Sequence, residues 1–378
     1  MKDVALNVEA TLLVRPKSTP TIAFNISPGI FSIFRRRAFV AIAQAPITPI
    51  PMLDMFHSVQ KNDFKPQLDD AVRMERELII TSSGLRIRDT VEEIRALFFR
   101  LGWALGSRFV GDFLVGTDTR PSSLVAVESL VAGLEGAGGE AEFLGICPVS
   151  AVSHLVSRAV ARFGSMVTAS HNPPEWTGLK VFGSDGIILE RESVEDIFQE
   201  AMRTSKEPRA KQISIRRAHV EEYVSSAIEE LRNLGVSANG LKIVVDTGNG
   251  SLSHISRDFL EALGAKVKVI NADTDGEFRR PIEPLPENLG MLRDEVLREQ
   301  ADFGIAHDAD GNRAALVDEE GHILREDMTL AAGLMVLLQR VQSPLVVSFA
   351  SSSLFDLLAS EAGVRIFFSE VGERNLVM

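Results

Sequence analysis

The chain has 378 residues, 45% hydrophobic and 24% charged, with 40 Lys and Arg against 52 Asp and Glu and a formal net charge of -12. That apolar content excludes overall disorder, 28 glycines without a Gly-X-Y period exclude a collagenous fibre, and the acidic balance argues against a general nucleic-acid binder, so any phosphate site must be local. A single cysteine, Cys147, allows neither an intramolecular disulfide nor a cysteine-based zinc site and points to a reducing compartment, the cytoplasm. No run reaches the roughly 18 uninterrupted apolar residues of a membrane helix, and the length suggests two or three domains of about 100–200 residues each.

Residues 1–77 show no sustained period of a strand or helix and read as an N-terminal extension without assigned chemistry. Within them, Phe39–Met55 follows Arg35, Arg36 and Arg37 and superficially resembles a signal peptide, but Pro46, Pro49 and Pro51 break it. From Glu77 onward, apolar runs alternate with helical stretches, the rhythm of βαβ units, and this predicts consecutive α/β domains. Phe113–Arg120 reads as a buried strand running into a polar turn, followed by a helix over Ser122–Ala137. An amphipathic helix over Val220–Leu234 ends near Gly235, where a domain boundary is expected, and a new strand begins at Leu241–Asp246. A helix over Ile255–Leu263 and strands at Lys266–Ile270, Ala301–Ala306 and Ala314–Val317 follow. A third unit opens with a helix over Met328–Val341 and continues with a strand at Leu345–Phe349, a helix at Ser352–Ala362 and a strand at Val364–Phe368. Only about 50 residues follow the start of that helix, few for a complete domain.

The densest chemistry lies in Thr168-Ala-Ser-His-Asn-Pro-Pro-Glu-Trp-Thr-Gly-Leu-Lys180, after the apolar stretch Gly164–Val167. Pro173 and Pro174 fix their own φ and push the preceding residue out of the helical region, so the loop is stiff and can present the Ser170 hydroxyl rigidly. Alone, a Ser-His pair beside prolines is more often a capped turn. The whole string resembles the phosphoserine loop of the α-D-phosphohexomutases, the phosphomannomutase and phosphoglucomutase family. The resemblance implies that Ser170 carries a phosphoryl group to and from a sugar phosphate and that Lys180, in the Gly-x-Lys segment, is the general acid/base.

Asp308-Ala-Asp-Gly-Asn312-Arg313 places oxygen ligands at alternate positions just after a strand, the donor set that hard cations prefer. An EF-hand would read Asp308, Asp310, Asn312 and Glu319, but its sixth position needs glycine and Arg313 stands there. A simple polar turn is the other alternative. The segment resembles the family's Asp-x-Asp-x-Asp-Arg metal loop, which implies Mg²⁺ held by Asp308, Asp310, Asn312 and an oxygen of phosphorylated Ser170, with Arg313 holding phosphate. The family has aspartate where this chain has Asn312, and the lost charge predicts weaker Mg²⁺ binding.

Weaker echoes run in the family's order. Thr81-Ser-Ser-Gly-Leu-Arg86 resembles the segment whose arginine helps form the phosphate cleft, although Ile87 replaces the usual following glycine. Gly116-Thr-Asp-Thr-Arg120 resembles a further cleft segment, and the resemblance makes Arg86 and Arg120 phosphate-binding candidates and His171 a stabiliser of phosphate charge. Val245–Gly250 resembles the turn that opens the second domain, and Val371-Gly-Glu-Arg374 a segment of the third.

The implied architecture is α/β, with mixed sheets sandwiched by helices: domain I over 78–235, domain II over 236–327 and a partial third domain over 328–378. The family's sugar-selecting Gly-Glu-x-Ser-Gly loop and its fourth domain do not occur in the sequence. The expected function is a phosphohexomutase interconverting hexose 1-phosphate and 6-phosphate through a hexose 1,6-bisphosphate. A second chain would then supply the missing clamp, and residues 1–378 alone would turn over little. The alternative is an impaired relative that binds a sugar phosphate or a partner without turnover. No nucleic-acid or membrane partner is expected.

Overall fold

The computed structural model describes residues 77–206, 214–338 and 342–377, together with a two-residue strand pairing of Leu12–Leu13 with Thr21–Ile22. The remainder of the expected extension over 1–77, and residues 339–341 of the expected third-unit helix, lie outside the described residues.

The first unit is a six-stranded sheet ordered β1-β2-β6-β5-β3-β4, made of β1 (Glu77–Thr81), β2 (Gly84–Arg88), β3 (Asp112–Thr117), β4 (Glu140–Ile146), β5 (Phe163–Val167) and β6 (Thr177–Phe182). Strands β4, β3 and β5 are parallel, as βαβ crossovers require, whereas β6, β2 and β1 join antiparallel. The sheet is covered on both faces, and its strands show why. Phe113, Val115, Phe143, Phe163, Val167, Leu179 and Val181 point into one core with α1 (Val91–Arg108), α2 (Ser123–Gly136) and α4 (Arg191–Arg203). Their alternating neighbours Leu114, Leu144, Met166 and Phe182 enter a second core under α3 (Val149–Ser157). Glycines let α1 and α2 approach closely: a Cβ on Gly102 would meet the Leu130 carbonyl oxygen at 2.1 Å, and one on Gly133 would meet that of Phe99 at 2.1 Å.

Helix α5 (Ala218–Asn233) joins the two units. Val220 and Tyr223 at its start pack with the α3 core of the first unit, while Val224, Ile228 and Leu231 pack on the core of the second. That second unit is a four-stranded sheet ordered β8-β7-β9-β10, from β7 (Lys242–Asp246), β8 (Lys266–Ile270), β9 (Phe303–His307) and β10 (Ala314–Asp318). β8, β7 and β9 are parallel and β10 closes the edge antiparallel. Ile243, Val245, Phe303 and Ile305 face α5 and α6 (Ser256–Ala262), and Val244 and Ala306 face α7 (Gly290–Glu299). Beyond them α8 (Glu326–Leu338), β11 (Leu345–Ser348), α9 (Leu354–Ala362), β12 (Ile366–Ser369) and α10 (Glu373–Val377) form a third unit around a parallel strand pair. Among the described residues no helix is long and apolar enough to cross a membrane.

In both principal sheets the parallel strands β3, β5, β7 and β9 aim their C-terminal ends at the interface between the units, and the Ser170 loop and the Asp308–Arg313 loop meet there.

Candidate active site

Ser170 follows β5 and adopts φ +52°, the left-handed region, which costs a non-glycine residue on the order of 1–3 kcal/mol and persists only where neighbours impose it. Those neighbours are identifiable. The Ser170 N–H donates to Thr168 Oγ1 at 2.8 Å, and Thr168 Oγ1 donates in turn to Asp118 Oδ2 at 2.7 Å. Arg120, 3% exposed, donates through Nη2 to the carbonyls of Ser170 and Asn172 at 2.7 Å each, through Nη1 to those of Trp176 and Pro173, and through Nε to Asp118 Oδ2 at 3.0 Å. Every N–H of the guanidinium therefore has an acceptor inside the protein.

This corrects the expectation that Arg120 binds phosphate: its donors are spent on the backbone of the Ser170 loop, and it shapes that loop from beneath. Arg86 differs. It donates once to Asn172 Oδ1 at 2.8 Å, and burial lowers its pKa, with Asp310 opposing and Arg313 adding to the effect, so it shares the electrostatic environment of the site with donors to spare.

Ser170 Oγ lies 3.3 Å from Asp308 Oδ2 and 3.5 Å from His171 Nδ1. Burial, reinforced by the Arg313 and Arg86 charges, lowers the His171 pKa to about 4. The imidazole is thus neutral near pH 7 and in this state adds no cation to the phosphate cleft. Lys180, on β6, is buried with Nζ 3.0 Å from Asp310 Oδ2, a buried ion pair. Burial opposes its charge, but Asp310, Glu373 and Asp308 together outweigh burial and raise its pKa, leaving an ammonium.

The second loop is fixed mainly by its backbone. The Ala309 carbonyl accepts from the Ser251 N–H at 2.8 Å and the Asp310 carbonyl from the Val149 N–H of the first unit at 3.0 Å. The His307 carbonyl accepts from Arg280 Nη2 at 2.6 Å, and Arg280 Nε pairs with Asp246 Oδ2 at 2.8 Å. Burial and the neighbouring Asp310 charge push the Asp308 carboxyl pKa upward, while Asp310 is held down by Lys180 against the effect of burial. Asp310 Oδ1 and the amide oxygen of Asn312 are buried without hydrogen-bond partners, and Asp310 Oδ2 faces the Lys180 ammonium.

Buried acceptors without donors suit a hard cation, so these residues fit Mg²⁺. Among the described residues no group of three His, Cys, Asp or Glu side chains could hold a metal ion. A cation here would accordingly rest on Asp308 and Asp310 with the Asn312 amide and a Ser170 oxygen.

Arg313 is positioned by its N–H on Asp308 Oδ1 at 3.1 Å, but its guanidinium pairs with Glu283 and lies 3.7 Å from Glu326. A phosphate at Arg313 would have to replace those carboxylates. Sequence reasoning brought Ser170, His171, Lys180, Asp308, Asp310, Asn312, Arg313 and Arg86 to one place, and it missed Asp118, Thr168, Arg280, Glu283 and Glu373. Asp118, Thr168 and Glu373 lay within the marked segments Gly116–Arg120, Thr168–Lys180 and Val371–Arg374; Arg280 and Glu283 carry no local signal. A cavity of about 630 Å³ opens beside the second loop, where Ser83, Asn312, Arg313 and Glu373 contribute polar groups to a wall shared with the third unit.

The phosphoglucomutase/phosphomannomutase α/β/α domain I model matches residues 79–208, and the corresponding domain II model matches residues 221–321. A phosphoglucomutase/phosphomannomutase of Thermococcus kodakarensis is 34% identical over 297 residues, 75% of this chain and 64% of that protein. A phosphoglucosamine mutase of Caldicellulosiruptor bescii is 35% identical over 277 residues, 70% of this chain and 60% of its own length. The chain thus spans less than two thirds of these curated relatives. The crystal structure of a phosphoglucomutase/phosphomannomutase family protein from Burkholderia thailandensis superposes with a TM-score of 0.65 at 21% identity, over 79% of this chain and 68% of that one, which shows a shared fold.

Proposed function

The chain belongs to the phosphoglucomutase/phosphomannomutase family of α-D-phosphohexomutases, and from that premise we propose that it acts on hexose phosphates with Ser170 as the phosphoryl carrier. The observation that carries this reading is the convergence of a strained, rigidly presented serine hydroxyl with the Asp308 carboxylate and the Lys180–Asp310 pair across the interface between the two units. Domain I (78–235), domain II (236–327) and the unit from 328 onward are the proposed division of labour, with the carrier on the first and the metal loop on the second.

In the proposed step a sugar hydroxyl oxygen attacks the phosphorus on Ser170, the new P–O bond forms and the Oγ–P bond breaks. The Lys180 ammonium gives its proton to the departing Oγ, and the resulting amine takes the proton of the attacking hydroxyl, so Lys180 ends as it began. Mg²⁺, when bound by Asp308, Asp310 and Asn312, would neutralise charge on the phosphoryl oxygens. Arg86 has free donors for a phosphate, and Arg313 can exchange Glu283 for one.

The alternative, binding without turnover, is favoured by one feature, the amide of Asn312 in place of a third carboxylate. The two readings part in a labelling experiment. With radiolabelled hexose 1,6-bisphosphate and Mg²⁺, the wild-type chain should take up label and release hexose monophosphate, and Ser170→Ala should do neither. Equal labelling of both chains would remove Ser170 from the carrier role.

A further inference from the structure

Two loops from separate sheets must stay in register for Ser170 to meet Asp308, and one side chain between them has no role in the chemistry above. Thr119 is 6% exposed and sits between Asp118 and Arg120, the two residues that grip the Ser170 loop. Its Oγ1 turns the other way and donates to the Asn249 carbonyl of the second unit at 2.5 Å.

Asn249 is itself immobilised. It holds φ +54°, donates its N–H to the Asn271 carbonyl at 2.6 Å and its Nδ2 to the Asp273 carbonyl at 3.1 Å, and accepts the Arg279 N–H on Oδ1 at 3.2 Å. The following residues lie directly on the metal loop: a Cβ on Gly250 would meet the Ala309 and Asp308 carbonyl oxygens at 2.8 and 2.9 Å, and the Ser251 N–H bonds the Ala309 carbonyl. A continuous path thus runs from Ser170 through Arg120 and Thr119 to Asn249, Ser251, Ala309 and Asp308.

We propose that Thr119 is a positioning residue that holds the Ser170 loop in register with the Asp308–Arg313 loop across the interface between the two α/β units. The inference rests on the carrier reading for its consequence in catalysis, but its structural content stands apart from it. The Asn249 carbonyl is buried with its residue 1% exposed, so replacing the hydroxyl by a methyl strands an acceptor while preserving side-chain volume. Serine keeps the donor and removes only the methyl.

Hydrogen exchange followed by mass spectrometry on the full chain, for wild type, Thr119→Val and Thr119→Ser, tests this. Thr119→Val should speed exchange in peptides covering 247–251 and 307–313 by about tenfold, the scale expected for one lost buried hydrogen bond, while a peptide in the centre of β3 stays at the wild-type rate. Thr119→Ser should remain near wild type. Should the valine variant fold poorly, Thr119→Ala takes its place under the same criterion.

Unchanged exchange in both loops, or equal acceleration by serine and valine, would overturn the assignment. In a chain that takes up phosphoryl groups, Thr119→Val should also slow Ser170 phosphorylation about tenfold at saturating bisphosphate, with the half-saturating concentration unmoved, and an unchanged rate would equally overturn it. Failure of the wild-type chain to take up a phosphoryl group would count against the carrier reading alone, since the exchange criterion still decides the role of Thr119.

Discussion

Each α/β unit carries a buried Asp–Arg pair at the end of a central parallel strand, Asp118–Arg120 after β3 and Asp246–Arg280 after β7, and the two pairs are used differently. In the first, the arginine lies two residues from its aspartate and spends its remaining donors on four carbonyls of the Ser170 loop. In the second, the arginine arrives from a distant loop and reaches only one carbonyl at the root of the Asp308–Arg313 loop, that of His307 at the end of β9, its others being Pro281 and Ile282 beside it.

The carrier loop is thus clamped along its backbone, and its strained serine is the result. The Asp308–Arg313 loop is pinned mainly at its carbonyls, leaving Asp310 Oδ1 and the Asn312 amide oxygen without donors and Asp310 Oδ2 on the Lys180 ammonium. A loop held rigidly at its serine faces a loop whose side-chain acceptors are unpaired or paired only with Lys180. One buried-pair motif thus serves two purposes, according to which carbonyls its arginine can reach.

If that contrast is right, Arg120→Met should be the most damaging single change, because it removes the donors to four carbonyls of the Ser170 loop at once, although Asp118 keeps the residue-120 N–H, Ser123 Oγ and Thr168 Oγ1 as donors. Breaking a buried ion pair from one side costs about 3–5 kcal/mol, and urea denaturation followed by circular dichroism should show a loss in that range. Arg280→Met should cost less, about 3 kcal/mol, since beyond its own neighbours Pro281 and Ile282 it leaves a single carbonyl, that of His307, without its donor, and Asp246 likewise keeps donors in the Gly248 N–H and the Asn271 Nδ2. A larger loss for Arg280→Met than for Arg120→Met would invert the comparison.

On the metal loop, Asn312→Asp restores a third carboxylate and should tighten Mg²⁺ binding on the order of tenfold by titration calorimetry. No gain would mean that the unpartnered oxygens are not arranged for a cation. The smallest effect concerns Cys147, which precedes the Val149 N–H that holds the Asp310 carbonyl. Burial pushes its thiol up to about 12, so a thiol reagent at pH 8 should leave the native wild-type chain unmodified and react only as the chain unfolds. Reaction in native Arg280→Met, but not in wild type, would sharpen the comparison by showing that a loosened metal loop opens the interface.

The two chemical loops were legible because their residue types are contiguous: Ser170 with His171 and the prolines, and Asp308, Asp310 and Asn312 at alternate positions. All four strands of the second sheet and β3 and β5 of the first were legible through their apolar runs, whereas β1, β2, β4 and β6 were not singled out, and the antiparallel joining of β6, β2 and β1 is a nonlocal choice. Arg120 was found and misread, since a sequence does not reveal that an arginine will face backbone carbonyls. Arg280 and Glu283, in a proline-punctuated loop without periodicity, gave no sign of reaching Asp246 and Arg313. The lowered pKa of His171 comes first from its burial and then from Arg313 and Arg86 approaching from other elements, which only the fold brings about.

Site-resolved mass spectrometry of the intact chain after incubation with glucose 1,6-bisphosphate and Mg²⁺ tests the central claim most directly. The account predicts one phosphoryl group, on Ser170, in the peptide that contains the His171-Asn172-Pro173-Pro174 run. A folded chain that carries the phosphoryl group on another residue, or takes up none, would contradict it.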